Sequence, residues 1–159
     1  MRIVLNKYEM LMASQVGLQR QVDAKIGGAM DGHGLVGPGW NENMEGSAAE
    51  LAVAKALDIH WGGGMDGFKT PDLGKNLQIR STISHNYSLI VRPVDPDEDF
   101  YILVTGTAPE YWVRGYIVGT AAKNDRWTRD PNERPDAYFV PSEALLPIED
   151  LKEAIKNAK

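Results

Sequence analysis

Four residues of this chain have the types and the order needed to handle a phosphate ester: Glu50, Asp72, Gln78 and Arg80. Glu50 lies in an alanine-rich stretch of helical pattern. Asp72 follows a proline in a turn-rich connection, and Gln78 and Arg80 alternate with apolar residues along LQIRST. Carboxylate and amide oxygens suit a hard divalent cation such as Mg²⁺ or Mn²⁺, which takes one or two carboxylates plus waters and substrate phosphate. Such a cation acidifies a bound water and stabilises charge on a transferring phosphoryl group. An arginine beside it can clamp phosphate oxygens bidentately, but it stays protonated and cannot serve as a general base. The chemistry this set points to is metal-assisted phosphodiester hydrolysis. Glu50 also has a plainer reading, because a buried carboxylate is satisfied equally well by an arginine partner.

Further residues compete for roles around this set. Asp66, twelve positions before Gln78, is an alternative turn acid. His85, in the turn beyond LQIRST, has the chemistry of a proton shuttle, with a surface turn residue as the plainer reading. His33, inside the glycine-rich run 27–39, reads as a solvated loop side chain. Arg114, Arg126, Arg129 and Arg134, with Trp112 and Trp127, offer a basic and aromatic strip on which nucleic acid could stack. Asp125, Asp130, Glu133 and Asp136 interleave with the later arginines, so ion pairing among themselves is the competing reading. The acidic run DPDED, Asp95 to Asp99, reads as a solvated turn.

The elements that must position these residues are legible from periodicity. Asn6 with Glu9 three residues on is a capping-box start. Tyr8, Leu11, Met12, Val16, Val22 and Ile26 then recur at helical spacing until Gly27-Gly28. A second helix is expected from about Met44 to Leu57. Glu50 shares its inward stripe with Val53, Ala54 and Leu57. Strands are expected at 77–82, with Gln78 and Arg80 on one face, and at 87–92. A central strand covered on both faces is expected at 100–105. A further strand should span 111–118, with Gly115 as a bulge or close-contact point. A short strand at 137–140 and one or two C-terminal helices complete the pattern.

At 159 residues the chain suits one domain. Its 43% hydrophobic and 25% charged residues are ordinary for a globular protein. No apolar run approaches membrane-spanning length, and the N-terminus lacks the apolar core of a secretory signal. With no cysteine there is neither a disulfide framework nor a thiolate metal site, which fits a cytoplasmic location. A net charge of −5 argues against a broad, nonspecific nucleic-acid binder, although a carboxylate-rich metal site would lower the formal charge in the same way. The expected fold is α/β (α+β). It is a single domain with a central mixed sheet flanked by helices, divided into an N-terminal helix and glycine-rich loop (1–43), a core (44–118) and a basic loop, short strand and terminal helices (119–159).

The order helix acid, Pro-Asp, then polar–apolar–basic strand resembles the PD-(D/E)XK nuclease superfamily from about Glu45 to Val118. The resemblance implies a restriction-endonuclease-like core. Glu50 would be the helix acid, Asp72 the aspartate of the PD pair, Gln78 the Glu/Asp position and Arg80 the lysine position, with the Ile79 backbone oxygen as an added metal ligand. Glutamine keeps a coordinating carbonyl, whereas arginine replaces the usual lysine, for which Lys69 is a stand-in. Segments such as GLQRQVDAKIGG, AAELAVAKAL, LIVRP and AYFVPSEAL also resemble uncharacterised bacteriophage and prophage proteins. These resemblances imply a Mg²⁺- or Mn²⁺-dependent enzyme cleaving DNA, compatible with a homodimer and working inside a host bacterium. One rival is a non-cleaving relative that binds nucleic acid or protein. Another is a structural protein in which Glu50 and Arg80 form an ion pair.

Overall fold

The computed structural model describes residues 1–27, 40–63, 71–128 and 137–157, with Trp40 described in its backbone alone. His33, Asp66, Lys69, Arg129 and Arg134, and the acids Asp130, Glu133 and Asp136, lie outside the described residues.

Along the chain, β1 (Arg2–Val4) leads into α1 (Lys7–Ile26), and α2 (Trp40–Leu57) precedes β2 (Leu77–Thr82) and β3 (Leu89–Val91). Next come β4 (Phe100–Thr107), β5 (Glu110–Val118), the one-turn α3 (Gly119–Ala122), β6 (Tyr138–Val140) and α4 (Ile148–Asn157). The strands form a four-stranded sheet in the order β1-β5-β4-β2 and a two-stranded sheet, β3-β6. β2 runs parallel to β4, while β4–β5 and β5–β1 are antiparallel. The chain is therefore an α+β single domain around a mixed sheet, as its periodicity implied.

The two faces of that sheet are covered differently. Leu77, Ile79, Ile102, Val104, Tyr111 and Val113 form one core with α2 and α4. Tyr101, Leu103 and Ile117 form a second core with Leu89, Val91 and Val140 of the small sheet, and with Ala122 and Trp127. The long helices that flank the sheet, as expected, thus lie on one face, and the β3–β6 pair covers the other. The apolar run of β4 serves both cores, which explains why it does not alternate.

α2 lies between α1 and the sheet. Residues 47–54 are all buried, and alanine dominates because backbone approaches from both sides. α1 begins as the sequence reads. The Asn6 side chain accepts from the Tyr8 and Glu9 N–H groups, and Glu9 returns a bond to the Asn6 N–H at 2.6 Å. Its packing face was not legible, however. Ala13, Gly17 and Gln21 are buried, whereas Tyr8, Leu11, Met12, Leu18 and Ile26 are exposed. The close approach explains this choice, because a Cβ at Gly17 would meet Met44 Cα at 2.6 Å and Asn43 O at 2.7 Å. Only a residue without a side chain fits at Gly17, so several bulky apolar side chains are turned outward, while Met10 and Val16 pack at the edge of the core.

Candidate functional site

Strand alternation places the four candidate residues in two groups. Leu77 and Ile79 of β2 face α2, so Gln78 and Arg80 face the β3–β6 side. Glu50 lies on α2, across the sheet from them.

Glu50 is 5% exposed and fully engaged. Arg20 donates to its two oxygens at 2.6 and 2.8 Å, and the Trp61 indole N–H donates at 3.3 Å. Arg20 also reaches the Gly63 carbonyl at 2.8 Å. Burial pulls the Arg20 pKa down, but the hydrogen bonds and charge of Glu50 outweigh it, leaving that pKa raised. The ion pair anticipated for Glu50 therefore exists, with Arg20 of α1 as the partner in place of Arg80.

Asp72 sits beside this pair on the outer edge of the sheet. Leu73 and Leu77 form an antiparallel bridge that folds the PDLGKN turn back on β2, with Gly74 at φ +57° closing it. The turn carries the Asp72 carboxylate to the Ile79 N–H at 2.6 Å. β2 is an edge strand, so Asp72 caps a backbone donor that no neighbouring strand can reach. Burial, reinforced by the negative charge of Glu50, pushes the Asp72 pKa up to about 6, against the opposing pull of the Ile79 N–H, Arg80 and Arg20.

Gln78 and Arg80 find acids in the run that read as a solvated turn. The Gln78 amide donates to Asp99 at 2.8 Å, and Asp99 is buried. Arg80 donates to Asp95 at 3.1 Å and lies over the Tyr101 ring, 5.4 Å from its centroid. Asp97 pairs with Lys123. DPDED is a turn with residues 96–98 exposed, as expected, but its first and last acids, Asp95 and Asp99, anchor the second face, which the solvated reading did not foresee. The alternate spacing of 95, 97 and 99 was its sequence signal, but the partners are distant in the chain.

These contacts decide whether the set fits a divalent cation. The oxygens of Glu50 that would take the metal already hold a guanidinium. Gln78 is directed across the sheet, and Asp72 is spent on backbone. Among the described residues no group of three or more His, Cys, Asp or Glu is arranged to hold a metal. Glu50, Asp72, Gln78 and the Ile79 carbonyl, as placed, do not fit Mg²⁺ or Mn²⁺.

A different cluster occupies the end of the sheet that β3–β6 leaves open. Thr82, Thr105, Trp112 and Arg2 form a cross-strand row over β2, β4, β5 and β1. Arg114, two residues beyond Trp112 on the same face, is exposed. Its Nε donates to Thr105 Oγ1 at 2.7 Å, and another guanidinium nitrogen lies 2.7 Å from His85 Nδ1. Thr105 Oγ1 is 3.1 Å from the same nitrogen, and the His85 ring meets Trp112 edge-on at 4.9 Å. A guanidinium can only donate, so His85 Nδ1 accepts and the neutral ring carries its proton on Nε2. Among the described residues no carboxylate pairs with Arg114, whereas Arg2 in the same row is paired with Glu110 at 2.5 Å. Two side-chain contacts hold Arg114 in this orientation, and among the described residues no acid compensates its charge.

The rest of the expected strip divides. Arg126 stacks on Trp127 at 4.1 Å, and Trp127 is buried in the second core, so Trp127 offers no open ring face. Trp112, Arg114 and His85 do come together. Their sequence signal was present in the basic-aromatic spacing and in the turn histidine, but nothing in the sequence joined the two. No helix among the described residues is long and apolar enough to cross a membrane. Compared with protein-family models, curated proteins and solved structures, the chain matches none of them.

Proposed function

We propose that this protein binds single-stranded nucleic acid through the open end of its sheet, on a PD-(D/E)XK-like core that does not cut. The observation that carries the reading is Arg114. It is an exposed guanidinium fixed by two neutral partners, His85 and Thr105, beside the half-exposed Trp112. A fixed arginine presents a fork that matches phosphate oxygens, and an adjacent indole supplies a stacking surface that any base can use. The net charge of −5 suits a small, directed contact better than broad coating of a duplex. The nuclease-like ancestry rests on the order of Glu50, Asp72, Gln78, Ile79 and Arg80, and on Asp72 meeting both the Ile79 backbone and the field of Glu50. A bacteriophage or prophage setting accords with the same resemblance.

The bidentate Arg20–Glu50 pair is what separates this reading from a metal-dependent deoxyribonuclease. The test is titration of labelled single- and double-stranded DNA in Mg²⁺, Mn²⁺ or EDTA, followed by gel analysis of the same samples. Retention of single strands without any metal, with the oligonucleotide left intact, is the expected result. Metal-dependent cutting that disappears in Glu50→Ala and Asp72→Asn would restore the enzyme.

A further inference from the structure

Beside the Arg114 cluster lies a cleft of about 230 Å³, lined by His85, Asn86, Tyr87, Ser88, Ser142 and Glu143, among others. His85 belongs to both features. Its Nδ1 lies against Arg114 and Thr105, and the same residue lines the cleft. Tyr87 is 43% exposed and presents an aromatic surface at the rim. Glu143 is also exposed, and no cation pairs with it among the described residues. A carboxylate in such a place can only accept hydrogen bonds. The two serines and Asn86 add groups that donate and accept.

We propose that this cleft is a nucleobase pocket that selects bases carrying an exocyclic amino group on the Watson–Crick edge, guanine, cytosine and adenine above thymine. The proposal rests on the single-strand reading above and adds to it which base is favoured. The volume suits one planar base and its hydration. Tyr87 would stack on the ring, and Glu143 would accept from guanine N1–H and N2–H₂, from cytosine N4–H₂ or from adenine N6–H₂. Thymine offers carbonyl oxygens on both sides of its single N–H and would set acceptors against the carboxylate. The shared His85 places the cleft next to Arg114, so one nucleotide can put its phosphate on the guanidinium and its base in the cleft. A base inside a duplex cannot enter, which ties the pocket to unpaired strands.

The test uses oligothymidylate strands carrying one central guanine, cytosine, adenine or no replacement, with affinity read by fluorescence anisotropy at fixed salt. The expected result is tighter binding of the guanine, cytosine and adenine strands than of plain oligothymidylate, by about tenfold, as one good base contact supplies. Glu143→Gln should abolish that preference, in part by tightening the binding of plain oligothymidylate, whose carbonyl oxygens then meet an amide in place of a carboxylate. Arg114→Ala should weaken all four strands together. Equal affinity for all strands in the unmodified protein would overturn the pocket while leaving the single-strand reading intact. A preference that survives Glu143→Gln would overturn the role given to that carboxylate. No binding of any strand would remove the parent reading, and the pocket with it. Circular dichroism of Glu143→Gln, an exposed and isosteric change, checks that the fold is retained.

Discussion

Two arginines in this molecule are held with similar geometry to opposite ends. Arg20 donates two hydrogen bonds to Glu50 and a third to a backbone carbonyl in the helical layer. Arg114 donates to a threonine hydroxyl and lies against a histidine nitrogen on the open sheet face. The first charge is cancelled where it sits, and the second is fixed with no acid beside it among the described residues. A buried, internally neutralised pair holds elements together, because removing either member strands the other out of water. An exposed cation oriented by neutral partners retains most of its field for a ligand. Burial and partner chemistry, not residue type, therefore separate a structural arginine from a binding one.

The largest expected effect falls on the helical side. Glu50→Ala leaves the partly buried Arg20 guanidinium without its carboxylate, and should lower unfolding free energy by about 3 kcal/mol in urea titration, the low end for a buried pair. A carboxylate kept for metal binding would behave differently, since its removal relieves local repulsion and leaves stability equal or higher.

The next effect concerns Asp72. Its folded pKa is raised from 3.8 to about 6, so the native state holds the proton more tightly than the unfolded chain. That contribution to stability is fully present below pH ~3.8 and is lost as pH rises through about 6. The loss amounts to about 2–3 kcal/mol. Asp72→Asn keeps an oxygen for the Ile79 N–H and removes the titration. Its unfolding free energy should be flatter across this window than that of the unmodified protein, and higher at pH 7. An unchanged pH profile would mean that Asp72 does not carry the burial assigned to it.

A smaller change is expected on the open face. Arg114→Ala should leave the fold in place and weaken single-strand binding by about tenfold, in line with about 1.5 kcal/mol for a charge-assisted hydrogen bond. The slope of log affinity against log salt should also fall by about one phosphate contact. The smallest effect is assigned to Arg126, which spends its guanidinium on its own neighbour Trp127. Arg126→Ala should alter binding by less than about twofold and stability by about 0.5–1 kcal/mol. A larger binding loss from Arg126 than from Arg114 would reverse the assignment.

Much of the fold was legible in the sequence because its signals are local. The capping box at Asn6 and Glu9, the alternation in LQIRST and the unbroken apolar run of β4 each report on a few adjacent residues. Pairing across long separations was not legible. Arg20 and Glu50 are thirty residues apart, and no spacing rule links them. The packing face of α1 was hidden for a related reason. Its buried positions are Ala13, Gly17 and Gln21, which carry little hydropathy and are chosen by how closely α2 approaches. The acids of DPDED looked solvated because turns rich in aspartate usually are, and only the tertiary fold brings Gln78, Arg80 and Lys123 to them. In the candidate site, the shared face of Gln78 and Arg80 followed from strand period alone. Its separation from Glu50 did not, because a strand pattern does not say which face a distant helix covers.

The most direct test of the contrast between the two arginines is an NMR titration of the labelled protein, following the Nε–H signals of Arg20 and Arg114 and the indole N–H signals of Trp61 and Trp112. A short single-stranded oligonucleotide should shift the Arg114 and Trp112 signals and leave Arg20 and Trp61 in place. Mn²⁺ added alone should broaden neither Arg20 nor Trp61. Selective broadening of that pair by Mn²⁺, or oligonucleotide shifts confined to it, would contradict the account and return the active centre to Glu50.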